Sequence, residues 1–195
     1  MSDELPIAEK RAVILERMES AAKRAKRDDE PVLVAVSKVQ PDERVAEMLA
    51  AGQTVFGENR VQEAQGKWPA LKAAHKDIVL HLIGPLQTNK AKEAVALFDV
   101  IETLDREKLA RALAKEMQSQ GKMLPCLVQV NTGEEPQKAG IIPSELPDFL
   151  AFCREECALD IRGLMCIPPI DEPPALHFAF LAKLAKAKGI SCLIE

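Results

Sequence analysis

Short apolar runs alternate with longer stretches of helical character along this chain, and that alternation limits the folds open to it more than any single motif does. The runs are Val32 to Val36, Thr54 to Phe56, Ile78 to Ile83, Phe98 to Thr103, Cys126 to Val130, Ile161 to Ile167 and Ile190 to Ile194, seven in all. Helices are expected between them at Pro41 to Ala51, Arg60 to Ala74, Leu86 to Ala96, Arg106 to Gln120, Pro143 to Cys157 and Pro173 to Lys188. Start signals support several of these. Asp105 precedes Arg106 as a candidate N-cap, and Pro173 and Pro174 suit a first turn, where a missing N–H costs nothing. A further amphipathic helix, about Pro6 to Arg27, precedes the first run and places Ile7, Ile14, Leu15, Met18 and Ala22 on one face.

Apolar strands joined by helical crossovers imply a parallel sheet covered by helices, either an open doubly wound sheet or an eight-stranded barrel. No Gly-x-Gly-x-x-Gly follows the first run; Ser37-Lys38-Val39-Gln40-Pro41 stands there and cannot wrap a pyrophosphate in the same way. The regular spacing favours a TIM-type (β/α) barrel, α/β in class, with an extra N-terminal helix and a single domain over residues 1–195. Closure needs eight strands. The seventh run reaches Ile194 and the sequence stops at Glu195, so the barrel is expected to lack its last strand or strands, or to be irregular at that rim.

The 30 acidic and 26 basic residues are spread along the chain and leave no basic stripe for a phosphate backbone, so nucleic acid is not an expected partner. Met1 to Lys10 carry no secretory apolar run and no stretch has the length of a membrane span, which points to the cytoplasm. The five cysteines are odd in number, sit in apolar surroundings and read as reduced core thiols. Cys153 and Cys157 find no companion pair at ligand spacing among His75, His81 and His177, so no metal is expected.

In a parallel barrel the working residues stand at the carboxyl ends of strands and in the loops that follow. Lys38, after the first run, carries the clearest chemistry, because an amine between an apolar strand and the barrel mouth can shed solvation and attack an aldehyde. The same position suits a solvated rim lysine. Asn59 suits a group that orients a ligand, and equally a cap on the next helix. Glu58 and Glu63 are acid–base candidates whose bland alternative is a solvated surface site. His81, inside an apolar run, points either inward or toward the helices. Gln87-Thr88-Asn89-Lys90 opens a helix where anions bind or where an ordinary cap stands, and Lys138 adds charge to the same mouth or is merely solvated. Met165 offers a soft thioether to a flat ring, or packs as plain core.

Taken together these segments resemble the pyridoxal phosphate homeostasis protein family, whose fold is the alanine racemase N-terminal barrel. The resemblance rests on Val34-Ala35-Val36-Ser37-Lys38, on Phe56-Gly57-Glu58-Asn59-Arg60-Val61-Gln62-Glu63, and on His81-Leu82-Ile83-Gly84-Pro85-Leu86-Gln87-Thr88-Asn89-Lys90. Val130-Asn131-Thr132-Gly133-Glu134-Glu135 with Lys138-Ala139-Gly140, and Gly163-Leu164-Met165-Cys166-Ile167-Pro168-Pro169, continue it in the family's order. It implies pyridoxal 5'-phosphate (PLP) as cofactor, with Lys38 as the Schiff-base lysine, Asn59 beside the cofactor and Met165 lining the pocket near the ring. It also implies that the cofactor is buffered or delivered, with apo-enzymes that depend on it as candidate partners; the chain is expected to be a monomer. The family continues with a Ser-Met-Gly-Met-Ser type segment and a later strand that hold the phosphate; Ser191-Cys192-Leu193-Ile194-Glu195 does not match the first of these.

Three functions compete on the residues. A carrier that binds and releases PLP through Lys38, without catalysis, is the reading favoured by the resemblance. An amino-acid racemase needs a second acid–base group across the cofactor, which alanine racemases take from a tyrosine of a second domain; this chain has no tyrosine. A Schiff-base aldolase needs an acid–base partner and a phosphate site around Lys38, and the segments nearby show no such set.

Overall fold

The computed structural model describes residues 5–27 and 29–192. The expected helix before the first strand is α1 (Ile7–Arg24). After it, strands and helices alternate: β1 (Ala35–Val36), α2 (Asp42–Ala50), β2 (Val55–Glu58), α3 (Val61–Ala74), β3 (Val79–Leu82), α4 (Ala91–Leu97), β4 (Val100–Leu104) and α5 (Glu107–Gln120). They continue with β5 (Cys126–Gln129), α6 (Leu146–Ala151), β6 (Ile161–Met165), α7 (Pro174–Ala187) and β7 (Ser191–Cys192). A 3₁₀ turn (Thr88–Lys90) leads into α4, and a π-helical turn (Phe152–Glu156) prolongs α6.

All pairings are parallel and the strand order is β1-β2-β3-β4-β5-β6-β7, so neighbours in space are neighbours in the chain. This is the order of a TIM-type barrel. Among the described residues the sheet is not closed: β1 and β7 are its edges and do not pair with each other. The edge position accounts for the shortness of β1. Of the run Val32 to Val36 only Ala35 and Val36 join the ladder, Val32 is 64% exposed, and β2 is the single neighbour. The seventh run is a strand at Ser191–Cys192, and its remainder, Leu193 and Ile194, lies outside the described residues.

Alternation along each strand sorts side chains between two faces. Phe56 lies against Trp68 of α3, ring centroids 4.9 Å apart, which fixes the face of β2 turned to the helices. Leu80, Leu82, Ile101, Leu104, Val128 and Leu164 join it in one contiguous core with Leu109, Leu113 and Met117 of α5 and Leu181 of α7. Gly57, His81, Leu127, Gln129 and Met165 belong to the inner face. A Cβ on Gly57 would meet Ile83 and Val34 side chains, and His81 is its register partner. Leu127 and Met165 are buried yet stand outside the helix-facing core. α1 has no buried residue, and Ile14 on its apolar side is 41% exposed. No helix among the described residues is long and apolar enough to cross a membrane.

Candidate cofactor site at the carboxyl ends of the strands

β1 ends in a tight turn, Ser37 to Gln40, closed by a hydrogen bond from Gln40 N–H to the Ser37 carbonyl at 3.2 Å. Lys38 occupies the turn, exposed, and among the described residues its ammonium has no hydrogen-bond or ion-pair partner. Val39 follows with φ 58°, a left-handed conformation in which a β-branched side chain is strained by about 1–3 kcal/mol. Something must hold that turn.

The grip comes from behind the sheet. Glu58, 1% exposed, shares the helix-facing side of β2 with Phe56. Its Oε1 accepts from the Ser37 hydroxyl at 2.9 Å and from the Trp68 indole N–H at 3.0 Å. The Lys67 ammonium stands 3.7 Å from the same oxygen and donates to the Ser37 and Gln40 carbonyls at 3.3 and 3.0 Å. A carboxylate removed from water is tolerable only with such partners. The alternative of a solvated surface site is therefore corrected for Glu58; Glu63, paired with Arg60 at 3.5 Å, is the one that remains half exposed.

Asn59 follows β2 directly. Lys38 and Asn59 each stand two residues beyond the register pair Val36↔Gly57, which sets them side by side at the same end of neighbouring strands. The cap of α3 is Arg60 with no side-chain bond, so Asn59 does not serve as the cap its position suggested. Its backbone abuts Gly84, where a Cβ would lie 2.3 Å from the Asn59 carbonyl oxygen. Met165 ends β6, fully buried, in register with Gln129. β6 is five strands from β1 in the order, so Met165 reaches Lys38 only across the barrel interior.

Other candidates have structural partners. His81 points inward and its Nδ1 is hydrogen-bonded to Glu102 Oε1; Glu102 is fully buried and its second oxygen is unpartnered. Nothing in the run Phe98 to Thr103 had singled out Glu102, although an acid inside an apolar strand is the signal that would have found it. Lys138 pairs with Glu135 at 2.8 Å and contacts the Pro168 carbonyl, tying the loops after β5 and β6. His177 is buried, with Nδ1 2.9 Å from the Thr132 hydroxyl and Nε2 3.2 Å from Glu172. Gln87 precedes the 3₁₀ turn Thr88–Lys90, which leads into a seven-residue helix, a poor anion site. Cys126, Cys153, Cys157 and Cys166 are buried, and burial pushes the Cys126 and Cys153 thiols up to about 12.

The carboxyl ends of the strands thus carry Lys38 after β1, Asn59 after β2 and Met165 at the end of β6. A parallel βα barrel carrying this arrangement belongs to the alanine racemase N-terminal domain family, whose profile matches residues 12–192. Within that class the chain is a member of the pyridoxal phosphate homeostasis protein family. It is 38% identical over 178 residues to the pyridoxal phosphate homeostasis protein of Pasteurella multocida (strain Pm70), covering 90% of this chain and 76% of the relative. PipY of Synechococcus elongatus PCC7942, solved with PLP bound, superposes with a TM-score of 0.72 at 36% identity, covering 89% of this chain and 82% of PipY. A protein of unknown role from Bifidobacterium adolescentis superposes with a TM-score of 0.87 at 25% identity, covering 95% and 81% of the two chains.

Proposed function

We propose that this chain binds pyridoxal 5'-phosphate covalently through Lys38 and serves the homeostasis of that cofactor in the cytoplasm, passing it to apo-enzymes that depend on it, without a reaction of its own. The observation that carries the reading is the unpartnered Lys38 ammonium on a strained, gripped turn beside Asn59. PLP bound in PipY and the name carried by the Pasteurella relative support it.

The residues fit such a cofactor at its reactive end. When bound, PLP supplies an aldehyde that takes up a neutral amine with loss of water. Lys38 provides the amine, and its exposure leaves the aldehyde a path of approach and departure. Asn59 offers a carboxamide at the neighbouring strand end to orient the ring substituents, and Met165 offers a polarisable apolar surface to its face. Reversible attachment is what a carrier needs.

The test is spectroscopic. PLP added to the purified protein should give an imine absorbance band that borohydride removes, with the mass increment mapped to Lys38, and Lys38→Ala should give neither. Labelling of other lysines alone, equal in the wild type and Lys38→Ala, overturns the assignment. Interconversion of D- and L-alanine by the loaded protein overturns the absence of catalysis.

A further inference from the structure

We propose that Glu58 and Lys67 are positioning residues for Lys38: from the helix side of the sheet they hold the Ser37 to Gln40 turn in the one conformation that offers the amine at the strand ends. This rests on the reading of Lys38 given above. Neither side chain touches the inner face, where a cofactor would lie. Glu58 shares the outer side of β2 with Phe56, and Lys67 comes from α3.

The geometry is that of a staple. One ammonium donates to the carbonyl of the first turn residue and to that of the last, Ser37 at 3.3 Å and Gln40 at 3.0 Å, so the two ends cannot separate while Lys67 is in place. Glu58 holds the staple at 3.7 Å and grips the Ser37 side chain at 2.9 Å, fixing the residue before Lys38. The turn needs holding, because Val39 at φ 58° gains by relaxing toward an extended conformation. Relaxation there would swing Lys38, whose own side chain has no partner among the described residues to hold it. The Trp68 indole N–H, 3.0 Å from the same Glu58 oxygen, anchors the carboxylate to the core, while its second oxygen is buried without a hydrogen-bond partner among the described residues. Trp68 is the chain's sole tryptophan, so its emission reports on this network.

Removing one charge would strand the other in a buried place, so the decisive variant removes both: Glu58→Gln with Lys67→Met. Imine absorbance in a PLP titration, and the yield of borohydride-trapped Lys38, are measured beside circular dichroism and melting temperature. The double variant should stay folded, show altered Trp68 emission, and require about tenfold more PLP for half-saturation, the scale of loss that misplacing a reacting group produces. Lys67→Arg, which still spans both carbonyls, should restore uptake to within about threefold of wild type. If the double variant unfolds, Ser37→Ala decides the matter, since it deletes only the hydroxyl that Glu58 grips and should weaken uptake about threefold. Wild-type affinity in a folded double variant, or in Ser37→Ala, overturns the inference and leaves Lys38 as the attachment site. A wild-type protein that traps no PLP at Lys38 overturns the underlying reading itself.

Discussion

At Gly84 the backbone of one loop lies directly on that of another. A methyl group there would stand 2.3 Å from the Asn59 carbonyl oxygen and 2.6 Å from its Cα, and neither atom can rotate away as a side chain would. Gly84→Ala is expected to cost about 2 kcal/mol, read from urea unfolding. The same displacement moves Asn59, so the variant should take up PLP more weakly; unchanged stability and uptake would show that the loops part easily. Lys38 and Asn59 were legible in the sequence as strand-end positions, yet position alone did not separate them from solvated residues, and only the recurrence of several ordered segments did. Glu58 was misread for a definite reason. Period-two alternation sends it after Phe56 into the helix-facing core, but the donors that make burial tolerable, Lys67 and Trp68, arrive from the middle of the next helix. Nothing local to Glu58 announces them.

The strands and helices themselves were nearly all readable, because apolar runs and crossovers of regular length constrain a parallel sheet strongly. What was not readable depends on neighbours. β1 is short because it has one partner strand among the described residues, and the end of α6 widens into a π-helical turn that the sequence does not mark. There Phe152 receives the Arg111 guanidinium 4.6 Å above its ring while Glu156 pairs with Arg111 at 3.0 Å, so contact with α5 shapes the turn. α1 lies on the surface: none of its residues is buried. Its anchor is Arg11, which donates to the Ala51 and Gly52 carbonyls and to the Gln53 side chain, each at 3.0 Å, closing the exposed end of α2. Arg11→Met should therefore speed amide exchange across α1 and the last turn of α2, with protection in β2 to β6 unchanged. Equal exchange in wild type and variant would mean that the helix is held by its apolar side instead.

Across the whole molecule one apolar core joins the helices to the outer face of the sheet, which favours a single cooperative unfolding transition. Its response to alkali follows from the thiols inside it. Cys126 and Cys153 are pushed up to about 12, chiefly by burial, from an ordinary 9.0. The folded protein keeps these protons where the unfolded chain releases them. Their contribution to stability is whole below pH 9 and is lost as pH rises toward 12, at up to about 1.4 kcal/mol per pH unit for each thiol. Cys126→Ala should flatten that decline in thermal melts taken at successive pH values; an unchanged slope would mean that the thiol ionises without unfolding. The unbroken strand order has a consequence in time as well as in space. Because each βα unit pairs with the unit made just before it, a chain emerging from the ribosome meets its next partner already in place. Assembly can then run from amino to carboxyl end with the growing edge always the newest strand, and each new βα unit covers the edge left open by the one before it.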